Sequence, residues 1–159
     1  MNKTIPILGL VIATVALMAF NNPGAHMHKN AGGAVAGYSG DPAGGSLTCT
    51  ACHAGPPATA VSGLITSDIP AEGYTPNTTY TITAAIASVG HSRFGFEISP
   101  QNPEGDFIGT LVNTGEETLL NGTGSNYITH SFYGIAGEGS RSWTFDWTAP
   151  PQGTGSATF

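Results

Sequence analysis

The stretch "SWTFDWT", Ser142 to Thr148, decides the fold. Trp143, Phe145 and Trp147 fall on one side of it, and Ser142, Thr144, Asp146 and Thr148 on the other. Alternation at a period of two, carried by aromatic and β-branched residues, is the pattern of a strand with one face in a core. It recurs in "TTYTITAAIAS" (78–88), where Tyr80, Ile82, Ala84 and Ile86 oppose Thr79, Thr81 and Thr83. It recurs again in "RFGFEIS" (93–99), where Phe94, Phe96 and Ile98 share a face. Glu97 and Asp146 sit on the opposite faces, so both are expected in solvent, with Arg141 or Arg93 as a candidate ion partner for Asp146.

Weaker strands are expected at 60–66, 107–112, 126–133 and 154–159. Between them lie turn clusters such as "PAEGYTPN", "SPQNPEGD" and "LNGTGSN", rich in residues that tolerate tight backbone turns. No segment beyond the first twenty residues carries a helical period over three turns. About seven short strands at this spacing predict an all-β fold, an immunoglobulin-like antiparallel β-sandwich.

Composition narrows the partners. Charged residues are 9% of the chain, against roughly a quarter in an average soluble domain. Four Lys and Arg against ten Asp and Glu give a formal charge of −6. A phosphate backbone would be repelled and no basic stripe is present, so nucleic acid is not an expected partner.

The chain opens with Lys3 followed by an uncharged apolar run from Ile5 to Phe20. That run is shorter than the roughly 20 residues of a membrane span and suits a secretory leader. The expected division is a signal peptide over 1–25, an arm over 26–57 and a sandwich over 58–159. Cleavage after Ala16, Ala19 or Ala25 and an uncleaved anchor both stay open. The mature chain is expected to be secreted, periplasmic or on the cell surface, with no membrane span. The arm is rich in Gly, Ala and Pro without an apolar period, and reads as irregular and extended.

Within the arm, "SLTCTACHAGPP" (46–57) holds both cysteines of the chain. Cys49, Cys52 and His53 form C-x-x-C-H, the attachment signature of a c-type haem. Two thiols three residues apart can add to the two vinyl groups of one porphyrin, and the next imidazole reaches the iron. An oxidising compartment also permits a Cys49–Cys52 disulfide. A zinc site would need a fourth ligand from another His. Haem c is the expected cofactor.

A second axial ligand, if present, comes from His26, Met27, His28, His91 or His130. His26, Met27 and His28 lie in the arm, and His91 in a stretch expected to turn, "VGHSR". His130, in "NYITHSFY", alternates with Ile128 and Phe132 on an apolar face, where a hydrogen-bonded core histidine is the plainer reading. The sequence has no G-x-S-x-G, no H-E-x-x-H and no Gly-rich strand-to-helix loop, so no enzyme constellation is expected.

Several segments together resemble the reelin-type (Reeler-like) β-sandwich proteins of bacteria, including the choice-of-anchor V group. They are "GDPAGGSLTCTACHAG", "EGYTPNTTYTITAAI", "SRFGFEIS", "YITHSF" and "SWTFDWTAPPQGTGSATF", covering residues 39–159. The most specific pieces are the C-x-x-C-H of Cys49, Cys52 and His53, the run Arg93 to Phe96, His130, and Trp143 through Pro150. The resemblance implies an extracytoplasmic immunoglobulin-like sandwich with a haem-binding segment just before its first strand. It also implies His130 as the partner of His53. Chains of this kind usually continue past the segment matching "GTGSATF". A sandwich lacking its final strand would leave an open sheet edge, which the arm or a neighbouring copy could fill.

The expected function is that of a secreted monohaem c-type cytochrome that transfers electrons to redox partner proteins. Self-assembly through the open edge or the arm would extend the path. The rivals are a non-redox adhesion module stapled by a disulfide, and a haem-based binder of small ligands with an open iron.

Overall fold

The structure, a computed structural model, describes residues 30–159. The expected signal peptide and the candidate ligands His26, Met27 and His28 lie outside the described residues. Seven strands are present: β1 (Ile65–Ser67), β2 (Thr79–Ala87), β3 (Glu97–Ile98), β4 (Thr110–Val112), β5 (Thr118–Asn121), β6 (Tyr127–His130) and β7 (Ser140–Thr148). Helix among the described residues is limited to three short 3-10 turns, at Cys49–Ala51, Thr123–Ser125 and Phe132–Gly134. None of these is long and apolar enough to cross a membrane.

The strands form two antiparallel sheets, a large one in the order β1-β2-β7-β4 and a small one in the order β3-β6-β5. Their apolar faces meet in a single core, the arrangement of an immunoglobulin-like sandwich. From the large sheet come Tyr80, Ile82, Ala84, Leu111, Trp143, Phe145 and Trp147, with Ile82, Phe145 and Trp147 fully buried. The two indoles keep their N–H groups satisfied, Trp143 Nε1 donating to the Gly134 carbonyl at 2.7 Å and Trp147 Nε1 to that of Ile108 at 3.0 Å. The small sheet contributes a row across its three strands, Ile98, Ile128 and Leu120, paired in register.

Some strands depart from expectation. The "RFGFEIS" stretch forms a strand only over Glu97–Ile98, while Arg93 makes an isolated bridge to Ala136 and Phe94 donates its N–H to the Ile135 carbonyl. The 60–66 strand is displaced to 65–67, and residues 154–159 make one isolated bridge, Gln101 to Thr158. Thr118–Asn121 is a full strand that the turn residues Asn121 and Gly122 concealed. The 126–133 run stops at His130, where Ser131 caps a 3-10 turn through its side chain and swings Phe132 out, 62% exposed. At the end of β2 Ile86 is likewise partly exposed.

Glu97 is not in solvent. It is 8% exposed, because the outer face of the small sheet is covered by residues 30–48 of the arm. The outward row across that sheet is Glu97, Thr129 and Leu119. Tyr38 donates its N–H to Glu97 at 2.7 Å. Thr129 Oγ1 accepts the Ala34 N–H at 3.0 Å and donates to the Phe96 carbonyl at 2.6 Å. Asn121 Nδ2 donates to the Ala34 carbonyl at 2.6 Å. The arm is irregular, as expected, but it lies on a face of the sandwich. Asp146 is half-buried and accepts from Thr81 Oγ1 at 3.1 Å, whereas Arg141 pairs with Glu117.

Candidate haem-binding cleft

The C-x-x-C-H segment folds into a single helical turn. Cys52 N–H donates to the Cys49 carbonyl at 3.2 Å, and His53 N–H reaches the same carbonyl at 2.9 Å. Residues three and four apart on a helical turn lie on one side of it. Cys49, Cys52 and His53 therefore present two sulfurs and an imidazole from one face. Both cysteines are unpaired and exposed, and His53 is exposed. No three His, Cys, Asp or Glu side chains among the described residues converge on one ion position.

That face borders a cleft of about 630 Å³, lined by Cys49, Cys52 and His53 together with His130 from β6. The volume lies within the span of small-molecule and cofactor sites, roughly 300–1,000 Å³. Its walls are apolar where the arm (Ala31, Ala34, Val35) and the 94–96 loop (Phe94, Phe96) meet. No carboxylate among the described residues lines it, in a chain with ten, while Arg93 and His91 do. His91 is exposed, with Nδ1 3.1 Å from Ser88 Oγ. A second cleft of about 300 Å³ shares Tyr38, Cys49 and Phe96 with the first and runs on to Glu97 and Trp143.

His130 is 8% exposed. Its Nε2 lies 2.9 Å from the Asn30 carbonyl. Its Nδ1 lies 3.2 Å from the Phe96 N–H, the Phe96 carbonyl and Thr129 Oγ1. The ring is seated against Gly95, where an added Cβ would fall 2.6 Å from His130 Cε1. Only glycine permits that approach.

The Cys49 residue is exposed overall, yet its sulfur turns toward the Tyr38 carbonyl, 3.8 Å away. Desolvation there, followed by the nearby Glu97 carboxylate, raises the thiol above its ordinary 9.0. It stays protonated at neutral pH and is a poor free nucleophile.

Comparison with solved structures returns reeler domains. A crystal structure of the human F-spondin reeler domain is 28% identical over 57% of this chain and 66% of that one, with a TM-score of 0.46. A second structure of the human domain and one of the Reelin-N domain of F-spondin are each 26% identical, with TM-scores of 0.43. The chain thus spans about two thirds of the length of these structures, 65–67%. No family model and no curated protein matches it.

Sequence reasoning singled out Cys49, Cys52, His53 and His130, and the structure brings all four to one cleft. It missed Phe96, whose backbone orients the His130 ring, and the arm residues that form a wall. Neither carries a sequence signal, since backbone groups and alanines acquire a role only through the fold.

Proposed function

We propose that the chain is a monohaem c-type electron-transfer protein, in which Cys49 and Cys52 would hold the group by thioethers and His53 and His130 would ligate its iron. The observation that carries this reading is one cleft bordered by the C-x-x-C-H face and by a buried histidine from a distant strand. The residues present fit the group. Unpaired thiols are available, the walls are apolar, and Arg93 offers a cation for carboxylate substituents in a cleft lacking acidic side chains.

When bound, haem c supplies a one-electron iron couple. The chain's residues do the rest. Cys49 and Cys52 fix the group to the helical turn, and His53 is oriented by the same turn. His130 offers Nε2 once the Asn30 carbonyl releases it. In that state Nδ1 carries the proton and donates to the Phe96 carbonyl, the outer-shell hydrogen bond that usually fixes a ligating imidazole. Phe94, Phe96 and the arm exclude water, and the low polarity of their surface favours the less charged oxidation state.

Under this reading the protein acts outside the cytoplasm and exchanges electrons with redox partner proteins. Copies would associate through an open sheet edge, such as the outer strands β1 and β4 of the large sheet, or through the arm. A second reading, a small-ligand binder with His53 as its lone axial histidine, is favoured by the 2.9 Å contact that holds His130 Nε2 to Asn30.

Mass spectrometry and visible spectroscopy of the native mature protein test both. One haem of added mass that survives acid–acetone extraction supports the family of readings. A reduced spectrum unchanged by carbon monoxide selects electron transfer, and a shifted one selects ligand binding. A colourless protein without the added mass overturns both.

A further inference from the structure

The C-x-x-C-H turn is made of backbone bonds to itself, and every residue from Cys49 to Asp68 is exposed. Cys49 Sγ contacts the Tyr38 carbonyl at 3.8 Å and anchoring resumes at Leu64 and β1, but among the described residues no hydrogen bond from Cys52–Gly63 to a residue outside the turn fixes where the turn sits. Its position is set by the residues just before it. Ser39 and Thr48 form a bridge, and Gly40 N–H donates to the Leu47 carbonyl at 2.7 Å, closing a hairpin whose tip is residues 41–46. The turn begins one residue after that hairpin closes.

Asp41, half-buried at the tip, gathers four donors from three parts of the chain. Its carboxylate accepts from Ser39 Oγ, from the Gly44 N–H at 2.8 Å, from Gln101 Nε2, and from Tyr127 Oη at 3.0 Å. The first two shape the hairpin, and the last two tie it to the sandwich. Gln101 is 3% exposed and held in turn by Ser99, and Tyr127 belongs to β6, the strand that carries His130. Gly44 is packed so closely that a Cβ would fall 2.5 Å from the Gly37 carbonyl and 2.9 Å from Asp41 Oδ1. Three residues before Asp41, Tyr38 donates its N–H to buried Glu97 of β3.

We propose that Asp41, seconded by Glu97, is the positioning residue that holds the C-x-x-C-H turn in register with His130 across the cleft. One carboxylate bonds both to the hairpin that ends at the turn and to the strand that bears His130, so it couples the two walls directly. The carboxylate does not touch the cleft. What the turn holds in that place rests on the haem reading above, but the latch itself does not.

The test compares wild type with Asp41→Ala and Asp41→Asn. The asparagine retains an acceptor of the same reach, so it serves as the conservative rescue. Native-state hydrogen exchange is measured on haem-free, thiol-blocked protein, with visible spectra of haem-loaded protein in parallel. In Asp41→Ala, amides of Tyr38, Gly40, Gly44, Cys52 and His53 are expected to exchange on the order of tenfold faster, with β2 and β7 amides unchanged. Asp41→Asn is expected to fall between. Haem-loaded Asp41→Ala is expected to show a mixture of six- and five-coordinate spectra. Unchanged exchange at 38–53, or acceleration of arm and core amides alike, overturns the latch. Failure of wild type to carry haem overturns the proposed function and leaves the exchange result to decide the latch alone.

Discussion

His130 Nδ1 lies at the same distance, 3.2 Å, from the amide nitrogen and from the carbonyl oxygen of Phe96. One residue thus offers the imidazole both a donor and an acceptor. With Nε2 protonated toward Asn30, Nδ1 accepts the Phe96 N–H. With Nε2 free for a metal, Nδ1 donates to the Phe96 carbonyl. The ring can change tautomer without turning, but ligation requires the Asn30 carbonyl to move off Nε2 and leaves the Phe96 N–H without its acceptor.

The first prediction concerns that ring. His130→Ala is expected to leave haem attachment intact and to convert a carbon monoxide-insensitive reduced spectrum into a sensitive one. An unaltered spectrum in the variant removes His130 from the site.

Gly95→Ala tests the seat of the ring from the other side. A methyl 2.6 Å from His130 Cε1 must displace the imidazole. Overpacking of this kind costs about 1–3 kcal/mol. The expected result is that loss in urea unfolding together with shifted His130 ring resonances. Wild-type stability and unmoved resonances would show that the loop yields instead.

Glu97 under the arm and Asp41 within it predict opposite pH dependences. Burial raises Glu97 above its ordinary 4.5, opposed by the Tyr38 N–H and reinforced by Asp41. Its contribution to stability is therefore complete below 4.5 and is lost as pH rises through the higher folded value. Burial also raises Asp41, but hydrogen bonds from Ser39, Gln101, Gly44 and Tyr127 outweigh it and lower the group below 3.8. Its contribution is present above 3.8 and is lost as pH falls through the folded value. Denaturation from pH 3 to pH 7 should show Glu97→Gln gaining on wild type as pH rises above 4.5. A variant that trails by a constant amount at every pH refutes the assignment.

Phe145→Ala probes the core. Phe145 is fully buried between the sheets, with its ring 6.2 Å from that of Phe96. The expected loss is about 3–5 kcal/mol, read as a lower urea midpoint. A loss under about 1 kcal/mol would mean that the two sheets do not share this core.

The fold was legible where burial is one-sided. In β7 and in β2 up to Ala84, one face meets the core and the other meets water, so alternation in the sequence matches alternation in exposure. It failed in the small sheet, where both faces are covered. Every residue of β6 is buried, so polar residues there face the arm and the pattern vanishes. Glu97 was misplaced for that reason. The site was legible through its chemistry, because cysteine and histidine at fixed spacing are rare enough to notice. Its support was not, because Asp41, Gln101 and Thr129 are ordinary residues made important by long-range contacts of 60 to 95 positions in sequence.

The turn bearing the two thiols is moored on its upstream side and slack on its downstream side, where residues 54–63 are all exposed. Evolution and the protein engineer therefore meet different rules on either side of the same motif. Lengthening the chain beyond Pro57 should go unnoticed, whereas one residue added between Asp41 and Cys49 would change which way the sulfurs face. The sandwich is in this sense a chassis, and the segment from Tyr38 to His53 a cartridge that could be exchanged whole for another.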